Sequence, residues 1–155
     1  MKERRFRQRF YSVPVALTPD KGAKLAAGFK NEGSVTIQNF PFLLERVGHG
    51  IVGDNHLFTA GAATSAQDVA QDGQYLIRFR TDDKNYMDNP LLGTAAFGNG
   101  QGVPPIDLNS PIEMTPKTTL VVEVINSIER QAGIVIQVVF HGSEPYEVDV
   151  EGATP

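Results

Sequence analysis

The 155 residues include no cysteine, no tryptophan and only three histidines. Without cysteine there is no disulfide framework, no thiolate nucleophile and no sulfur ligand for zinc. No apolar run approaches the roughly 18 residues that a membrane-spanning helix requires. The opening stretch, MKERRFRQRF, is charged and lacks the apolar centre of a secretory signal, so assembly in a cytoplasm is expected. No G-x-S-x-G elbow, no H-E-x-x-H pair and no kinase signature occurs, which leaves an enzymatic reading without positive support. No heptad pattern and no internal repeat of fixed period is visible. Neither a cofactor nor a membrane is implied.

What is present is turn-rich and β-patterned. Fifteen glycines and ten prolines favour many turns over long helices. Val35 and Ile37 alternate with Thr36 and Gln38, and Phe42 to Leu44 begin a second apolar run. Gly48, Gly50 and Gly53 around Ile51 suggest a kinked edge strand. Tyr75, Ile77 and Phe79 point one way from a strand whose other face carries Arg78 and Arg80. Leu120, Val122 and Val124 share one face, and Ile134, Ile136, Val138 and Phe140 share another; the polar connector between them predicts an antiparallel hairpin. Burial of each of these side chains is worth roughly 1.5–3 kcal/mol. Tyr146, Val148 and Val150 alternate with Glu147 and Asp149, which predicts a last, acidic edge strand. Residues 60–74 and 81–102 read as long loops, the second of the kind that carries function. The expected fold is all-β: an antiparallel β-sandwich or jelly roll in one domain, with an extended N-terminal arm.

Charge divides the chain. Residues 1–30 hold eight Lys/Arg against two Asp/Glu, while the remainder holds six against sixteen. The predicted arm, 1–33, concentrates Arg4, Arg5, Phe6, Arg7, Arg9, Phe10 and Tyr11, with Pro14 and Pro19 behind them and a short helix from Asp20 to Gly28. The predicted sandwich, 34–155, ends in Glu144, Glu147, Asp149 and Glu151 without a base among them. Arg and aromatic residues together suit a protein interface, and the basic start and acidic end suit pairing between neighbouring subunits. The acidic body repels polyanions within a Debye length of about 8–10 Å, which argues against nucleic acid as the partner.

The remaining polar groups give weaker signals. His49, His56 and His141 lie far apart and read as surface or edge residues, and no metal site is assigned. Asp54 with His56 lacks a nucleophile. Asp82, Asp83 and Asp88 offer oxygen ligands for calcium but not the spacing of an EF-hand, so a solvated loop is favoured. Gly98 to Gly102 precedes prolines rather than a helix, which rules out a phosphate loop there.

Four stretches carry a family likeness: Phe40 to Glu45, Tyr75 to Arg80, Pro111 to Leu120, and Val124-Ile125-Asn126 with Ile134 to Gly142. Their order resembles that of small β-sandwich virion proteins of tailed bacteriophages, over about Ser34 to Gly142. The resemblance implies a homo-oligomeric, non-enzymatic subunit of the virion. It would bind the major capsid protein or other virion proteins, as a capsid decoration (cement) protein or as a head-tail neck, collar or tail component. It carries no catalytic residues to transfer. A ligand- or carbohydrate-binding β-sandwich module is the alternative from another class.

Overall fold

In a strand every second side chain faces the same way, and the burial of this chain follows that period. The computed structural model describes residues 1–54, 74–87, 89–92 and 106–150. They form β1 (Lys2–Leu17), β2 (Lys30–Thr36), β3 (Phe42–Asp54), β4 (Tyr75–Thr81), β5 (Leu91–Leu92), β6 (Ile106–Met114), β7 (Thr119–Asn126) and β8 (Ile134–Asp149). No helix occurs among the described residues. Two four-stranded antiparallel sheets, β1-β8-β3-β6 and β2-β7-β4-β5, pack face to face. Every connection except β4 to β5 passes from one sheet to the other, and the first and last strands are neighbours. That strand order is a jelly roll.

The core lies between the sheets. Tyr75, Ile77 and Phe79 of β4 and Leu120, Val122 and Val124 of β7 are buried from one side. Ile134, Ile136, Val138 and Phe140 of β8 are buried from the other. Phe79 and Phe140 meet edge to face across the gap with ring centroids 5.5 Å apart. All these faces match the sequence reading.

The pairing does not. β7 and β8 belong to different sheets, so the expected hairpin is instead a crossover through residues 127–133. Each strand has one fully apolar face, and burial is satisfied equally well when those faces oppose each other across the sandwich. A buried polar knot fixes the crossover. Asn126 donates from Nδ2 to the Ala26 carbonyl at 2.9 Å and to the Ile128 carbonyl, and accepts at Oδ1 from Arg130 Nε at 2.9 Å. Arg130 and Leu25 exchange backbone hydrogen bonds at 2.9 Å. This replaces the short helix expected from Asp20 to Gly28. A helix of two turns is unstable alone, whereas here Leu25 is fully buried and Gly28, at φ 87°, gives its N–H to the Asn126 carbonyl.

The boundary at residue 33 also moves. β1 is a strand of the sandwich, paired with β8 without interruption from Lys2↔Asp149 to Leu17↔Ile134, and Tyr11, Val13, Val15 and Leu17 are buried. Pro14 is compatible with this because of ladder phase. The Val150 N–H bonds the Met1 carbonyl at 3.0 Å, so odd-numbered residues of β1 bond β8 and even-numbered ones face outward. Pro14 therefore lacks an N–H only on the open side of an edge strand, where none is used. The outward carbonyl of Ala16 accepts from Asn31 Nδ2 at 2.8 Å.

Three smaller readings take definite form. β3 is irregular between Ile51 and Gly53, as its glycines suggest; β6 pairs with it only from Phe42 to Val47, so among the described residues the segment from Gly48 to Asp54 has β8 alone alongside. The acidic strand expected at 146–150 is the continuation of β8. The loop expected over 81–102 contains β5, which pairs with Leu76 and Ile77; its stretch 93–102 and nearly all of the loop at 60–74 lie outside the described residues.

Candidate functional site: a basic and acidic ribbon

β3 accompanies β8 only as far as Ser143. Beyond it, β1 from Lys2 to Arg7 and β8 from Glu144 to Asp149 continue as a two-stranded ribbon. Arg4, Arg5, Phe6, Arg7, Arg9 and Phe10 all lie on this ribbon or at its base, while Tyr11 is 5% exposed and belongs to the core. The acidic end meets the basic start within one chain: Arg4↔Glu147 and Arg7↔Glu144 are register partners, and Lys2 Nζ lies 3.1 Å from Glu147 Oε2. The basic start and the acidic end that the charge split singled out are thus already neighbours within one chain. Glu151 lies outside the described residues.

The base of the ribbon is a charge clamp. Glu144 is 3% exposed, accepts a hydrogen bond from Arg7 Nε, and has Arg9 Nε at 3.9 Å, close enough for an ion pair but not a hydrogen bond. Arg7 also lies 5.6 Å from the ring centroids of both Phe40 and Tyr146, and Arg9 lies 5.3 Å from that of Tyr11. A buried carboxylate between arginines avoids the desolvation cost of an isolated charge, and the rings hold the guanidinium groups over the end of the core. The Tyr11 hydroxyl accepts from the Gln38 N–H at 3.1 Å, which ties the 37–41 turn to the same place.

The outer surface is different. Phe6 is 58% exposed and Phe10 54%, an unusual outlay of aromatic area. Arg4 lies 5.4 Å from the Phe6 ring. Phe10 stands edge-on to His141 at 5.0 Å. Burial, and secondarily Arg46, holds the His141 pKa below its ordinary value. The hydrogen bond and charge of Glu3 raise that of Arg5. At the edge of β8, where Phe40 and Pro41 diverge from it, Arg4, Pro145, Tyr146 and Glu147 complete a pocket of about 310 Å³. Sequence reasoning missed Phe40, Pro41, Pro145 and Tyr146 as site residues. The signal was available in a Phe-Pro step and a Pro-Tyr step, each placing an aromatic beside a residue that cannot complete a ladder.

The other candidates do not converge. His49 is buried, not on the surface, and its Nδ1 lies 2.5 Å from the Tyr75 hydroxyl, linking the two sheets. His56 lies outside the described residues. Asp82 accepts from the Thr119 N–H at the start of β7 and Asp83 accepts from the Thr81 hydroxyl within the turn after β4, so both carboxylates have partners in the fold; Asp88 is outside the described residues. Among the described residues no group of three His, Cys, Asp or Glu is placed to hold a metal, and no helix is long and apolar enough to cross a membrane. Fold and site together define a jelly-roll sandwich with a charged, aromatic β-ribbon at one end. Comparison with protein-family models, with curated proteins and with solved structures gives no match.

Proposed function

We propose that this chain is a non-enzymatic structural protein of a bacteriophage particle, most simply one that decorates and stabilises the capsid as an oligomer. The jelly roll is a frame used by viral capsid proteins, though also by lectins and cupins, so the fold alone does not decide function. The observation that carries the reading is the ribbon with Phe6 and Phe10 exposed beside arginines, the composition of interface centres. The resemblance over Ser34 to Gly142 supplies the particle. An ordered ribbon takes the place of the flexible arm in this account, and a preformed edge loses less conformational entropy on docking than an arm would.

Mass spectrometry of purified particles tests the assignment: the chain is expected in many copies, and its absence would remove the particle from the account. Phe10→Ser should weaken rebinding to particles stripped of the protein by at least about tenfold, the effect of losing a partly buried aromatic contact. A second reading has a specific observation of its own, because the pocket between Phe40 and Tyr146 combines aromatic rings with Arg4 and Glu147. Selective hits on a glycan array would favour a carbohydrate-binding module instead.

A further inference from the structure

Among the described residues the ribbon has no strand paired along either outer edge, and the chemistry of the two edges is complementary. Ladder phase turns the backbone of Lys2, Arg4 and Phe6 outward from β1, and that of Pro145, Glu147 and Asp149 outward from β8, past the point where β3 stops. One edge is basic and the other acidic. Isologous pairing would set β1 against β1, basic on basic, whereas head-to-tail pairing sets basic on acidic.

We propose that copies of this chain assemble through their ribbons, residues 2–6 of β1 in one copy adding antiparallel to residues 145–149 of β8 in the next, and that the series closes into a ring. The register of the intrachain ladder, repeated between copies, places Lys2 opposite Asp149, Arg4 opposite Glu147 and Phe6 opposite Pro145. At each of these positions both strands turn their backbone groups to the new partner, so the hydrogen-bond phase agrees as well as the charge. Pro145 forfeits one donor. In that register the exposed Phe6 ring arrives beside the pocket that Phe40, Pro41, Pro145 and Tyr146 line at this edge. A head-to-tail contact that closes leaves no open edge at which further chains add. The inference does not depend on the virion reading, because it concerns the isolated protein in solution.

Proline substitution is a sharp test, since at an outward position it removes the N–H offered to the next copy and leaves the donors of the intrachain ladder in place, as Pro14 already does on β1; at position 147 it also removes the carboxylate that would face Arg4 of that copy. The full-length chain is weighed by native mass spectrometry and by light scattering after gel filtration, with circular dichroism to check the fold. The wild type is expected at an integral multiple of 16.9 kDa. Glu147→Pro and Phe6→Ala should each lower that mass to the protomer's with an unchanged spectrum. Gln8→Pro, outward but opposite a segment that β3 already covers, should keep the oligomer. A monomeric wild type overturns the proposal, and so does an oligomer that survives both Phe6→Ala and a folded Glu147→Pro. Dissociation by Gln8→Pro would overturn the register. If Glu147→Pro fails to fold, Phe6→Ala decides alone. Loss of the ring with particle binding retained would count against this inference only; a ring that never binds particles would count against the virion assignment only.

Discussion

The two halves of β1 share one partner and one unbroken register, yet they live in different environments. From Tyr11 to Leu17 the inward row is Tyr, Val, Val, Leu, buried under the second sheet; from Glu3 to Arg9 the same row is Glu, Arg, Arg, Arg. The backbone ladder is indifferent to this change. Among the described residues, what ends the core is the loss of the facing sheet, and the side chains record where that happens. Gly33 of β2 marks how close the cover comes, since a Cβ there would lie 2.7 Å from the Pro14 carbonyl and 2.9 Å from Val13. At the transition Glu144 is still buried but is already held by arginines rather than aliphatics.

The most direct way to break this contrast is to truncate one residue in each half. Leu17 is fully buried, so Leu17→Ala should cost about 2–5 kcal/mol in a urea titration. Phe10→Ala, at an exposed position, should change protomer stability by no more than about 0.5 kcal/mol. Equal losses would show that the whole of β1 is core. A second substitution tests the junction itself. A Cβ on Gly142 would lie 2.0 Å from the Leu43 carbonyl and 2.7 Å from the Phe42 ring, beside the bulge where β3 and β8 part. Gly142→Ala should therefore destabilise by about 3 kcal/mol, because backbone must move to admit the methyl group.

Much of the sandwich was legible in the sequence, because alternation reports which face of a strand is buried. It does not report which strand lies alongside. Leu120 to Ile125 and Ile134 to Phe140 read alike as hairpin partners or as members of opposed sheets, and the deciding interactions, Asn126 with Arg130 and with residues 25–29, are distant or side-chain mediated. β1 was hidden for another reason. Its basic residues and Pro14 suggested an unpaired leader, although Tyr11, Val13, Val15 and Leu17 keep period two and an edge strand admits proline. Charge complementarity between the two ends was visible. That it would be satisfied first within one chain was not, since composition carries no information on whether partners are covalently joined.

The clamp sharpens the contrast at smaller magnitude. Arg7→Ala leaves a buried carboxylate with Arg9 alone, at ion-pair but not hydrogen-bond distance, and should cost about 2 kcal/mol. Arg5→Ala, two residues away on the same row but exposed to solvent with its Glu3 partner, should leave the denaturation curve unmoved. A comparable loss at both positions would mean that the ribbon is protected throughout its length.

The smallest expected effect is a pH dependence at His141, on the outer face between Phe10 of β1 and Arg46 of β3. Burial and then Arg46 disfavour the imidazolium, so the folded protein binds this proton less readily than the unfolded chain, whose histidine titrates near about 6.5. The unfolded state thus holds more protons as pH falls, and folding stability falls with it. The contribution is fully present above that unfolded value and is lost as pH drops through it toward the lower folded value. Urea midpoints measured from about pH 7.5 to about pH 5.5, above the ordinary carboxylate range, should decline for the wild type and flatten in His141→Gln. A midpoint that rises on acidification would mean that the folded protein favours the imidazolium, and a slope that His141→Gln leaves intact would mean that this imidazole does not carry the pH dependence.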